Sequence, residues 1–185
     1  MPPRVDHDAR RRTLLSDSFA IFARDGYAAC TMRGLAQSLG VSTGTLYHYF
    51  SGKEAVFEAM YRQLNAEIIA AAKTEIDSAT EPEARLQMLL VFLANHLEQL
   101  QAVVRIGLEY HRHNPDPESR AWLASIISTY VETFEVHLHL KNTADARIIL
   151  SLLMGGLVHQ LFDPTAFDLA AHIQWIERMS QHRPE

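Results

Sequence analysis

The chain has 185 residues, 48% of them apolar, enough for one large domain or a small head on a larger body with a sizeable core. The single cysteine, Cys30, excludes an intramolecular disulfide and a cysteine-cluster metal site, and fits a reducing cytoplasm. The net charge of −5 hides an asymmetry: residues 1–63 carry eight Lys/Arg against six Asp/Glu, residues 64–185 nine against sixteen, so any polyanion is directed to the head.

In chain order, residues 1–7 read as an arm and are not the basic-then-apolar opening of a secretion signal. Beyond them, apolar residues recur at three and four, with no β-like alternation, hairpin dipeptide or internal repeat. Proline beside acidic or Asn residues marks helix starts at Pro82, Pro115, Pro117 and Pro164. The chain reads as all-α with about nine helices: 8–25, 32–39, 43–49, 53–78, 82–100, 102–114, 117–140, 143–162 and 165–181. Residues 1–50 are expected to form a three-helix head and 51–185 a helical body, joined by the unbroken helix 53–78. The longest charge-free apolar run, Ile148 to Phe162, is 15 residues, short for a membrane span, and no membrane partner is expected.

Residues 31–50 carry the most specific pattern. Thr31 suits an N-cap; Met32, Leu35, Ala36 and Leu39 form one apolar stripe; Gly40 supplies a left-handed stop. Ser42 suits the cap of a second short helix, 43–49, whose Leu46 shares a face with Phe50. Two short helices joined by three residues with Gly at the turn make a helix-turn-helix. Any helical protein holds short helix pairs; the outer face of the second raises this one above that background. Thr43, Gly44, Thr45, Tyr47 and His48 are small or hydrogen-bonding and include no carboxylate, as a helix lying in a major groove requires. Ser51 and Lys53 follow at a helix start, where phosphate is favoured, and Ser51 with Glu54 suits a capping box.

Gly26-Tyr27, Thr31-Met32, Leu35-Ala36, Gly40-Val41-Ser42, Gly44-Thr45-Leu46-Tyr47, Tyr49-Phe50 and Lys53-Glu54-Ala-Val-Phe57 closely resemble, in order and spacing, the TetR family of transcriptional regulators. The resemblance covers about residues 10–62; beyond that, length and helical character match. Cys30 stands where such proteins often have threonine, and Gly52 where serine or asparagine is usual, which shifts the expected cap to Ser51. The resemblance implies phosphate contacts from Thr31, Tyr47 and Lys53, and base-edge contacts from Arg33, Thr43, Thr45 and His48. It also implies close backbone approach at Gly44, next to the Ser42 cap, and a backbone or sugar contact from Tyr49; the aromatic pair Tyr49 and Phe50 equally reads as core, Phe50 above all. Arg33 is the candidate for a guanine, since its fork matches O6 and N7; the alternative is a solvated face. Arg10, Arg11 and Arg12 either reach the DNA or only raise local potential. The implied function is a repressor that binds a palindromic double-stranded DNA operator as a homodimer and is released by a small molecule.

In the body, helix 143–162 is apolar nearly all round, with Ser151, Gly155 and Gly156 leaving a flat strip. With 165–181, including Ile173 and Ile176, it reads as the dimer interface; the alternative is a monomeric core helix. A largely apolar effector would meet Met60, Leu89, Phe92, His96 and Arg105, then Tyr110, Trp122, Ile126, Tyr130 and Phe134, each of which also reads as ordinary core or surface. No metal or other cofactor is expected: His137 and His139 are two apart, which splits them across helix faces. Neither a phosphate loop nor a nucleophile elbow is present, so catalytic residues are not expected. A redox role for Cys30 lacks a base partner. The rival function is a DNA-binding protein of the same fold with no effector.

Overall fold

The computed structural model describes residues 7–163 and residue 171. Among them the elements are α1 (His7–Asp25), α2 (Met32–Ser38), α3 (Thr43–Tyr49), α4 (Lys53–Asp77), α5 (Pro82–Asn95), α6 (Leu97–His113), α7 (Pro117–His137) and α8 (Thr143–Phe162). The all-α expectation holds; apart from residue 171, the expected helix 165–181, with Ile173 and Ile176, lies outside the described residues, as does the arm up to residue 6.

The helix ends follow from local chemistry. Thr31 and Ser42 cap α2 and α3 as expected, accepting from the Gly34 and Thr45 N–H groups at 3.1 and 2.9 Å. α2 stops at Gly40, whose φ of +67° is left-handed. The Val41 and Gly40 N–H groups then return to the carbonyls of Ala36 and Gln37 at 3.0 and 3.2 Å, the paired bonds of a Schellman stop. α7 ends in the same way three residues earlier than its apolar pattern predicts. His139 takes φ +53°, and the Leu140 and His139 N–H groups bond to the Glu135 and Val136 carbonyls. The break between α5 and α6 falls at His96 rather than after residue 100. His96 stacks on Phe92, with ring centroids 4.2 Å apart, and its Nδ1 meets the Phe92 carbonyl at 2.9 Å. Its own carbonyl accepts the Leu100 N–H, so one residue closes α5 and opens α6. At α4 the Gly52 carbonyl accepts the Val56 N–H at 3.1 Å, which puts Gly52, not Ser51, at the cap position.

The chain folds as two compact units, one of Met1–Glu67 with Arg105–Arg120, the other of Ile68–Val104 with Ala121–Glu185. The first unit contains residues 1–50 together with the start of α4 and the segment 105–120; α4, α6 and α7 contribute residues to both units. The core of the first joins Leu14, Leu15 and Phe22 of α1 to Leu35 and Ala36 of α2, Leu46 of α3, and Phe57 and Met60 of α4, all 2% exposed or less. Each large side chain so buried stabilises by roughly 1.5–3 kcal/mol. Phe57 is the centre: its ring stacks on Tyr110 at 4.6 Å and meets Phe22 and Tyr27 edge-on at 5.2 and 5.1 Å.

In the second unit Ile76, Leu89, Leu90, Phe92, Val131, Phe134 and Ala146 are buried. Asp77 receives Arg85 Nη1 at 3.0 Å and meets His137 Nδ1 at 2.9 Å, and the same Arg85 nitrogen donates to the His137 carbonyl. The His137 hydrogen bond, aided by the His137 charge and by Arg85, outweighs desolvation and holds Asp77 below the usual carboxylate range. Helix α8 has 20 residues and, by length and composition only, is long and apolar enough to cross a membrane. The 15-residue charge-free run is thus part of a longer helix that begins at Thr143 and carries Asp145 and Arg147 near its start. Leu150, Leu153 and Leu157 of α8 are buried, while Ile148, Ser151, Leu152 and Gly155 are exposed along one line.

Candidate nucleic-acid interface

The two short helices carry no acidic residue. Leu46 is fully buried and Phe50 is 4% exposed, which pins α3 by one side and leaves the other to solvent. That free side presents Gly44, Tyr47 and His48, all exposed, with Thr43 and Thr45 half-buried beside them. Tyr47 is 53% exposed, an uncommon position for an aromatic ring with no buried purpose. Arg33 is exposed on α2. Thr31 is exposed too, with its hydroxyl oxygen engaged by the Gly34 N–H. The Thr45 hydroxyl shares a 2.8 Å hydrogen bond with Ser42, which orients both. Tyr49 is half-buried, and its hydroxyl meets His7 Nδ1 at 3.2 Å. Phe50, the more buried of that aromatic pair, is core; Arg11 sits over its ring at 5.1 Å. Arg10 and Arg12 lie exposed in the first turns of α1.

Lys53 departs from the simplest expectation. Its Nζ donates to the Tyr27 carbonyl at 3.0 Å and lies 4.2 Å from the centre of the Tyr27 ring, so its charge is held against the corner between α1 and α2. The other side of that corner is held by a residue that sequence reasoning did not single out. The Glu109 carboxylate accepts the Tyr27 and Ala28 N–H groups, each at 3.0 Å. Burial pushes Glu109 up, but the Ala28 and Tyr27 bonds, with His113 and Arg112, outweigh it and leave the group below its usual range. A side chain at Gly26 would be strained by φ +80° and would put Cβ 2.9 Å from the same carboxylate. Cys30 is 6% exposed, and burial first, then Asp25, pushes its thiol up to about 11. It is a protonated core residue at neutral pH, which argues against redox sensing.

Residues 14–60 match the family model of bacterial regulatory proteins, tetR family. That stretch, about a quarter of the chain, is similar to the DNA-binding part of tetR-family regulators. Among its relatives, the HTH-type transcriptional repressor KstR2 of Mycobacterium tuberculosis is 33% identical over 99 residues, 54% of this chain and 50% of that protein. The HTH-type transcriptional repressor Rv1474c of the same species is 38% identical over 76 residues, 40% of this chain and 41% of that one. The chain thus spans about half the length, or less, of these curated relatives. In structure it is similar to FadR of Bacillus subtilis, solved in complex with stearoyl-CoA, with a TM-score of 0.72 and 17% identity over 89% of this chain and 94% of that one. At that identity the likeness is one of fold alone. These relatives are regulators by name and not enzymes.

The structure does not bring the ten effector-contact candidates into one unit. Met60, Arg105 and Tyr110 belong to the first unit, the other seven to the second. Arg105 is exposed and donates to the Ala23 carbonyl at 2.7 Å. Tyr110 is 1% exposed and bonds through its hydroxyl to Glu58 at 2.6 Å. Both serve the head's own packing. His96 is taken up by the α5–α6 junction. Leu89, Phe92 and Phe134 are buried, and Trp122, Ile126 and Tyr130 half-buried, in the second unit. An open cleft of about 480 Å³ in the head is lined by Glu54, Glu58, Asp116 and Glu118 among others; those carboxylates suit neither an apolar nor an anionic molecule. Among the described residues no group of three or more His, Cys, Asp or Glu is placed to hold a metal ion.

Proposed function

We propose that this chain is a DNA-binding transcriptional regulator of the cytoplasm, a repressor that binds a palindromic operator as a homodimer and is released by a small molecule. The observation that carries the reading is the carboxylate-free solvent face of α3, pinned from behind by Leu46 and Phe50. A helix of this kind, offering Gly44 for close approach and Tyr47 and His48 for hydrogen bonding, suits a groove about 12 Å wide. Arg33, Thr43, Thr45 and His48 would read bases; Thr31, Tyr47, Tyr49 and Lys53 would position the backbone. Ser42 holds the start of the recognition helix. The head would act mainly through residues 1–50, with 51–185 supplying dimer contacts and the effector site.

Three substitutions test the DNA surface. Tyr47→Ala removes a neutral contact, so binding to all sequences should weaken with little change in salt slope. Lys53→Ala should lower the slope by about one counterion and, because Lys53 also holds the Tyr27 carbonyl, lower the melting temperature as well. Arg33→Ala should relax base preference at one position by roughly 1–3 kcal/mol. Fluorescence anisotropy over a salt series measures all three. Wild-type behaviour in all of them would remove this surface from the reading.

The effector is proposed to be largely apolar with one or two polar groups, from the aliphatic and aromatic content of the second unit. A structural neighbour solved with stearoyl-CoA is a reason to put acyl-CoA thioesters in the first ligand panel. Helix α4 is unbroken from Lys53 to Asp77 and contributes to both units, which gives a ligand one rigid element through which to act. Couplings of this kind are about 1–3 kcal/mol, a 5–150-fold loss of operator affinity. Thermal-shift screening finds binders, because a ligand of the native state raises stability. By linkage, operator DNA must weaken an inducer's binding by the same factor. Calorimetric titration of each binder with and without operator reads that factor, and equal affinities for every true binder would favour an effector-free DNA-binding protein.

A further inference from the structure

Helix α6 grips the corner between α1 and α2 at both ends of a peptide segment. Arg105 donates to the Ala23 carbonyl at 2.7 Å, satisfying an acceptor in the last turn of α1. One helical turn later, Glu109 accepts the Tyr27 and Ala28 N–H groups. The spacing of four puts both side chains on one face of α6. Between them, Gly26 closes the α1 end through its N–H to the Phe22 carbonyl at 2.9 Å, and Gly107 lets Tyr61 of α4 lie close: a Cβ there would be 2.5 Å from the Tyr61 hydroxyl. The Tyr27 ring fills the space beneath, 5.1 Å from both Phe57 and Tyr110. The corner leads within four residues to the Thr31 cap of α2.

We infer that Glu109, with Arg105, is a positioning residue for DNA binding: it touches no DNA, yet fixes the corner from which the helix-turn-helix is hung. This rests on the DNA-binding reading above. A carboxylate is needed for the geometry, because its two oxygens accept two backbone donors at once. Glutamine in the same place accepts one and turns its NH₂ group on the other. Aspartate keeps the double acceptor on a shorter stem.

The sign of the effect separates this role from plain electrostatics. Removing a negative charge from the head favours DNA, so a purely electrostatic Glu109→Gln would tighten binding. The positioning role predicts weaker operator binding, by about tenfold, with an unchanged salt slope, partial recovery in Glu109→Asp, and a smaller loss in Arg105→Ala. Hydrogen exchange gives a readout that needs no DNA. In Glu109→Gln the Tyr27 and Ala28 amides and those of α2 and α3 should lose protection. Val131→Ala, a core change in the second unit, should lower the melting temperature without doing so. Tighter binding in Glu109→Gln, or α2–α3 protection equal to wild type in both Glu109→Gln and Arg105→Ala, would overturn the inference. A wild-type chain that binds no operator, yet shows the exchange pattern on substitution, would overturn the DNA-binding reading and leave the positioning role standing.

Discussion

Replacing Phe57 by alanine should unfold the head more readily than any other single truncation in it. The ring is fully buried and touches four aromatic partners: Tyr110, Phe22, Tyr27 and Tyr61. Its removal loses the transfer energy of the ring, leaves a cavity among rigid neighbours that collapse poorly, and strips the aromatic pairings. The expected loss is about 3–5 kcal/mol, a fall in melting temperature on the order of 10 °C for a chain of this size. Phe57→Leu keeps most of the volume and should lose far less. Thermal denaturation followed by circular dichroism measures both. A Phe57→Ala loss under about 1 kcal/mol would mean that the cluster does not hold the head together.

Gly155→Phe should turn the proposed dimer into a monomer without harming the fold of the chain. Ile148, Ser151, Leu152 and Gly155 follow helical spacing on the exposed side of α8, with Ile148 54% and Leu152 42% exposed. A Cβ added at Gly155 meets nothing within 4 Å among the described residues, so a phenyl ring there is expected to obstruct a partner rather than the described part of the protomer. A two-fold dimer presents two recognition helices to successive major-groove faces, and losing that linkage should weaken operator binding by about 10²–10⁴. Sedimentation equilibrium and anisotropy together read the result. A Gly155→Phe protein that remains dimeric would place the interface elsewhere, and a monomeric wild type at micromolar concentration would end the dimer proposal.

The legible parts of this molecule were those written in local chemistry. Thr31, Ser42 and Gly40 punctuate α2 and α3 by caps and a left-handed stop, and these depend on residues within a few positions of one another. Pro82 and Pro117 open α5 and α7 for the same reason. The missed parts depended on side chains folding back or on distant contacts. His96 splits α5 from α6 by stacking on Phe92, and His139 takes a conformation that glycine usually supplies. Nothing in the sequence singles out Glu109, and Arg105 reads as an effector contact or ordinary surface, because their partners lie 81 and 82 residues away and no spacing rule connects them. The effector candidates were chosen by residue type, which cannot separate a pocket wall from core. Three of the ten belong to the head, two of them bonded to their neighbours there.

The most direct test of the DNA-binding account is selection from a random pool of duplex DNA by the purified protein, at fixed salt, followed by sequencing. The account predicts enrichment of an inverted repeat whose half-sites are about one helical turn or a multiple apart, and loss of that enrichment when Arg33, Tyr47 and His48 are replaced together by alanine. A pool that stays unenriched, or an inverted repeat still selected by the triple variant, would contradict it.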